Sequence, residues 1–241
     1  MVDRATLQKV IDRAELIFLT PQPQYTWRGI VTGVEVRNLR GGTQKLAAVS
    51  QNTWRGFHKV DKNLPGAAEG FRGYWLENGV RFLRELGDVE SEADLDALVD
   101  RIGEAVQARL TNIRPTMLRS YNKIRKPLDL YVEHGVAMAG ELAEVRSRLA
   151  PWLRLPLDSQ LFQLPDLFSD GDLRRLHLSR QSTYREVDSI DQYHALQQLV
   201  KNRAREFSAL AGRPFHPIYF DLWWNDRHRR SGGNLFEMNL G

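Results

Sequence analysis

Between Ser91 and Val106 the chain carries a helix together with its own start signal. Ser91 stands as the cap and Asp94 as its return partner three residues on. Leu95, Leu98, Val99, Ile102 and Val106 then recur at spacings of three and four. That period places all five on one helix face, and no strand can bury them together. The same period appears at Leu7, Val10, Ile11, Ala14 and Ile17, which predicts a helix over 6–19. Pro127 is expected to open a third helix at a tolerated first-turn position, running through Leu128, Tyr131, Val132 and Val136 to about Leu149. Pro151 and Pro156 bracket a short loop, and residues 189–210 read as a long helix closed by Gly212-Arg213-Pro214. A last apolar run covers 218–224. One segment departs from this scheme. Residues 29–36 alternate and are rich in β-branched side chains, which predicts a strand or hairpin with Gly41-Gly42 as its turn. The glycine-rich stretch 63–73 reads as loop. The expectation is a mainly α protein, one globular unit over 1–241.

Composition narrows the chemistry. A chain of 241 residues is long enough to bury a sizeable core. It has no cysteine, so disulfides, zinc–thiolate sites, iron–sulfur clusters and thiol nucleophiles are excluded together. The histidines at 58, 134, 177, 194, 216 and 228 show no metal-ligand spacing, so no metal is expected, and Glu133-His134 reads as structural or partly exposed. No apolar run is long enough to span a bilayer, and the first residues lack a basic segment followed by an apolar one. The expected location is cytoplasmic, with no membrane partner. Phosphate-cradling, dinucleotide-binding and serine-elbow motifs are absent.

Net charge is +4, with the bases unevenly placed. They gather at Arg119-Lys123-Arg125-Lys126, at Arg174-Arg175-Arg180-Arg185, at Lys201-Arg203-Arg205 and at Arg227-Arg229-Arg230, while acids gather between Glu85 and Asp100. This segregation suits either a phosphate-contact surface or solvated helix faces. Within the first cluster Lys126 sits at the mouth of the helix predicted from Pro127. There, helix dipole and partial burial both lower a lysine's proton affinity and favour an amine nucleophile. Asp158, in Leu155-Pro156-Leu157-Asp158, precedes another expected helix and would stay ionised there. The bland alternatives are a surface lysine paired with Asp129 and an aspartate serving as a helix cap. Asp221 lies inside an apolar aromatic run, where an unpaired carboxylate is costly and needs a partner. Trp54 and Trp152 suit core or stacking roles equally, whereas Trp223 and Trp224 read first as core.

Four segments together resemble the archaeal GO glycosylases, helical 8-oxoguanine DNA glycosylases of the helix-hairpin-helix superfamily. They are Pro23-Gln24-Tyr25, Lys126-Pro127-Leu128, Leu155-Pro156-Leu157-Asp158, and the run from Phe215 through His216 and Asp221 to Trp224. The order and the Lys126-to-Asp158 separation are similar to those of the family. Pro127 replaces a threonine, and 112–125 contains no glycine for a standard hairpin. The resemblance implies two helical subdomains, 1–90 plus 190–241 and 91–189, with a cleft between them. It implies excision of an oxidised purine from double-stranded DNA by a monomer that needs no cofactor. Lys126 would form the Schiff base and Asp158 would assist it. Gln24 and Asp221 would read the base edge, with Trp54 or Trp223 stacking on its face. Two other readings remain: a helical nucleic-acid-binding protein without catalysis, and a metal-dependent nuclease built on scattered carboxylates.

Overall fold

A computed structural model describes residues 2–20, 24–37 and 42–225 of the chain. It is mainly helical. The helices are α1 (Arg4–Phe18), α2 (Trp27–Thr32), α3 (Ala67–Gly87), α4 (Glu92–Arg109), α5 (Tyr121–Met138), α6 (Arg146–Leu149), α7 (Asp170–Arg175), α8 (Ile190–Ala211) and α9 (Tyr219–Asn225). Local chemistry explains the ends of the long ones. Asp3 Oδ1 accepts from Thr6 N at 2.8 Å, Ser91 Oγ from Asp94 N at 3.1 Å, and Ser189 Oγ from Gln192 N at 3.1 Å. Gly212, at φ 72°, turns α8 off in the left-handed conformation. α1 buries Leu7, Ile11, Ala14, Ile17 and Phe18 and packs on α8 and α9. No helix among the described residues is long and apolar enough to cross a membrane.

Three expectations need correction. Residues 29–36 are not one strand. α2 takes the first part, because Thr26 Oγ1 caps it from Gly29 N at 3.1 Å and Trp27, Ile30 and Val31 are buried at helical spacing. Tertiary burial here overrides the β-branched preference. The hairpin survives further on, as β1 (Val34–Arg37) paired antiparallel with β2 (Thr43–Leu46), Val34 opposite Leu46. Gly41 of its expected turn lies outside the described residues. Residues 67–73 are helix rather than loop. Glu69 Oε2 reaches back to Gly66 N at 2.8 Å, and Ala67, Phe71, Trp75 and Phe82 form a buried stripe.

The third correction concerns α5. It begins six residues before Pro127, which therefore sits inside the helix and cannot donate to the Lys123 carbonyl. It also stops at Met138, well short of Leu149, because Tyr25 N bonds Met138 O at 2.9 Å and Gly140 N bonds Tyr25 O at 3.0 Å. Arg146 then covers the loose carbonyls, with Nε on Val136 O at 2.8 Å and Nη2 on Ala139 O at 3.2 Å. Every residue of α5 except Tyr121 and Leu130 is buried, so α5 is the central post of the fold. The Trp27 ring is wedged between α3 and α5. A Cβ on Gly79 or Gly135 would approach it to 2.7 or 2.8 Å, closer than real contacts allow. Trp27 meets Trp75 edge-on at 5.3 Å and Phe82 at 5.0 Å, which forms an aromatic centre beside α5.

The sequence clusters of charge are largely spent on one another. Arg125, fully buried, bonds Asp96 at 2.9 Å, Asp129 at 2.8 Å and Asp100. Arg154 bonds Asp96 and Glu92, and Lys201 also reaches Glu92 at 2.6 Å. Asp96, Asp100 and Glu92 thus neutralise buried Arg125 and Arg154 and half-buried Lys201, while Glu85 pairs with exposed Arg81 and Arg101. The cluster Arg119-Lys123-Arg125-Lys126 is not a phosphate-contact surface, since Lys123, Arg125 and Lys126 are buried and only Arg119 is exposed. The residues from Arg227 to Arg230 lie outside the described set.

Candidate lysine–aspartate site

Lys126 Nζ touches Asp158 Oδ2, joining residues 32 positions apart. The amine side is nearly buried and the carboxylate partly open, at 10% and 28% side-chain exposure, so solvent reaches the pair from the aspartate. Neither flanking expectation holds. Lys126 lies in the second turn of α5, away from the helix mouth, and Asp129 belongs to Arg125. Asp158 does not cap an α-helix. Its Oδ1 accepts from Gln160 N at 3.0 Å, a local turn that leads into a 3-10 turn at Leu161–Gln163. This bond holds one carboxylate oxygen in place while the other meets the amine.

The surrounding shell was not legible in sequence. Asn122, one turn before Lys126 and completely buried, donates through Nδ2 to Leu157 O and Tyr184 O, each at 3.1 Å. One side chain thereby ties both the Asp158 loop and the Tyr184–Glu186 turn to α5. Ser159 Oγ, next to the aspartate, accepts from Tyr184 N at 3.0 Å. The Tyr184 ring lies 4.8 Å from Lys126 Nζ, a cation–π contact on the amine's other side. Lys123 stands one turn back on the same face. Its amine is buried over the Phe57 ring at 4.8 Å and donates to Gly56 O. Burial, with a smaller contribution from Arg185, pushes Lys123 down to about 8. The only sequence signal for this shell was the spacing of the two lysines.

The other expected site residues are distributed along α5. Trp54 is on the Gln51–Gly56 turn, two residues before the carbonyl that Lys123 holds. Its ring is mostly buried, 5.8 Å from Phe57 and 5.1 Å from Phe71. Asp221, in α9, is buried beside Glu133, which lies about two turns beyond Lys126 on the same side of α5. Burial, then the Asp221 and Asp129 carboxylates, push Glu133 well above the usual carboxylate range. The shift favours the neutral form of Glu133, and neither of its oxygens has a hydrogen-bond partner among the described residues. His134 is buried rather than partly exposed; it shares Leu130 O through Nδ1 at 2.8 Å, and burial pushes it down to about 4. Gln24 is exposed and rests against Gly140, beyond the far end of α5. Pro23 and the Trp223 side chain lie outside the described residues.

Chemically, the pair offers an amine with a carboxylate in position to accept its proton. A tyrosine face steadies the cation, and exposed Arg55 and Arg185 stand on the two turns next to it. Comparison with protein-family models, curated proteins and solved structures found no match for this chain.

Proposed function

We propose that the protein is a DNA glycosylase with β-lyase activity that excises an oxidised purine through a Schiff base on Lys126. The observation that carries this reading is the buried contact between Lys126 and Asp158, brought together from separate elements. Exposed Arg55 and Arg185 beside it would hold backbone phosphates. In this reading α4, the 110–120 connection and α5 form the helical hairpin. The packing of α1 on α8 and α9 fits a grouping of 1–90 with the residues from 190 to 225, although α3 on α4 and α2 on α5 also pack across that division.

The flipped nucleotide presents its anomeric carbon to Lys126. The ammonium passes a proton to Asp158. The amine lone pair then bonds C1′, and the C1′–N9 pair leaves with the base, which takes up a proton. Asp158 returns its proton to the departing base, and the restored carboxylate balances the positive charge on the C1′ adduct. Ring opening, with the adduct's N–H proton passing to O4′, gives an iminium ion, which acidifies the C2′ proton. Loss of that proton breaks the C3′–O bond, and the 3′ phosphate departs. Asp221 would read the base edge, with Trp54 or Trp223 against its face; Gln24, about 21 Å along α5 from Lys126, is too distant to join them. Borohydride trapping on an abasic-site duplex tests this. A covalent protein–DNA adduct on Lys126 is expected, and its absence would leave Lys126–Asp158 as a structural ion pair. That competing reading is favoured by the depth at which the amine is held.

A further inference from the structure

We infer that Lys123 is a positioning residue: its buried ammonium clamps the Gly56 carbonyl and so seats Tyr184 against Lys126. The readout through Lys126 rests on the proposed function; the structural part does not. Lys123 is 2% exposed, and among the described residues the partners of its amine are a carbonyl and an aromatic ring, with no carboxylate. Burying an ammonium on such terms costs stability, which an apolar side chain of similar length would not. Arg125, two residues on, shows the alternative, with a carboxylate on each of its three nitrogens.

The clamp ends at a crowded point. A Cβ on Gly56 would lie 2.9 Å from both Tyr184 Oη and an Arg185 Nη2 atom. The carbonyl held by Lys123 therefore belongs to the residue onto which Tyr184 and Arg185 close. Tyr184 in turn presents its ring to the Lys126 amine. The mechanical path is Lys123 to Gly56, Gly56 to Tyr184, and Tyr184 to Lys126. Trp54 rides on the same clamped turn. The charged group acting on the Lys123 amine is Arg185 from the 184–186 turn. The Gln51–Gly56 turn adds only its carbonyl and the exposed Arg55. With the amine pushed down to about 8, the clamp loses charge just above neutral pH. The linkage sign follows. Between about 8 and 10.5 the unfolded chain holds a proton that the folded chain has released, so stability rises with pH across that window.

The test uses the full chain and an abasic-site duplex. In Lys123→Met, melting temperature at pH 7 should hold or rise, while the borohydride trapping rate falls at least tenfold. The wild-type trapping profile should bend downward through about pH 8, and the Met variant should lack that limb. Hydrogen exchange at 52–57 and 183–186 should speed up in the variant, whether or not the protein traps DNA. Gly56→Ala should reproduce the trapping loss with Lys123 intact. A melting temperature that falls in step with trapping, at an unchanged pH profile, would reduce Lys123 to packing. Unchanged exchange in both turns would overturn the clamp. If the wild type fails to trap at all, the Schiff-base reading fails, and exchange alone decides the clamp.

Discussion

α5 carries buried charges held on opposite terms. Arg125 has acids on every side, and Asp129 is held by Arg125 at 2.8 Å and by Tyr193 Oη at 2.7 Å. Burial pushes Asp129 up only to about 6, so it stays ionised beside its arginine at neutral pH. Among the described residues, Lys123 has no carboxylate and Glu133 has only other acids beside it, although both are as little exposed to solvent as Arg125. Lys126 stands between these extremes, paired with an aspartate that remains partly open to water. Matched charges are what a fold requires in order to bury ionised groups. Mismatched ones cost stability, and such costs are retained where a side chain has work besides packing. One helix therefore holds structural and chemical ionisation within a few turns of each other.

That contrast can be broken most sharply at Lys126. Lys126→Gln should abolish borohydride trapping and base release while DNA binding and melting temperature stay near wild type. A variant that traps at the wild-type rate would move the nucleophile elsewhere, with Lys123 the first alternative. Asp158→Asn should come next. The amide can still close the turn onto Gln160 N, so the folding loss should stay within about 0.5–2 kcal/mol, as for lost caps. Single-turnover excision should nevertheless fall by orders of magnitude, because an amide neither accepts the lysine proton nor balances a cationic sugar. Near-normal excision in that variant would reduce Asp158 to a turn residue.

The matched charges predict the reverse signature. Arg125→Met should cost about 3–5 kcal/mol in urea unfolding, since it strands buried carboxylates. Its effect on trapping should appear only through the folded fraction. Glu133→Gln should stabilise the protein, by about 1–3 kcal/mol. The folded value of Glu133 lies above 4.5, so the native state keeps a proton that the unfolded chain releases, and stability falls as pH rises above 4.5. The gain from Gln should therefore be larger at pH 8 than at pH 5; an equal gain at both would deny that the fold favours the neutral acid. The smallest effect is expected at Arg55. Arg55→Ala should lower the slope of log affinity against log salt by about one unit if this exposed base contacts a phosphate.

The helices at 4–18, 92–109 and 190–211 were readable because period and cap agree locally: Asp3, Ser91 and Ser189 each satisfy a free amide within their own first turn. The Lys126 and Asp158 candidates were named from sequence, and the fold brings their side chains into contact. Neither was placed for the reason expected, since the dipole argument assumed a helix start at Pro127. Nothing local announces the true start at Tyr121, which depends on carbonyls from residues 187 and 188 accepting the Tyr121 and Asn122 amides. The same holds for α2, where burial against Trp75 and Phe82 outvoted a β-branched run.

Charge shows the division most plainly. The sequence alone determined how many bases and acids there are, that cysteine chemistry is absent, and which segments have a helical face to bury. Only the tertiary structure decided that Arg125 is spent on Asp96, Asp100 and Asp129, that Lys126 meets Asp158, and that Lys123 and Glu133 have no opposite charge beside them among the described residues. The physical reason is range. Caps and periodicity act within about a turn of helix, where sequence neighbours are spatial neighbours. Pairing of charges and desolvation depend on which distant residues share an interior, and that is settled only when the helices pack.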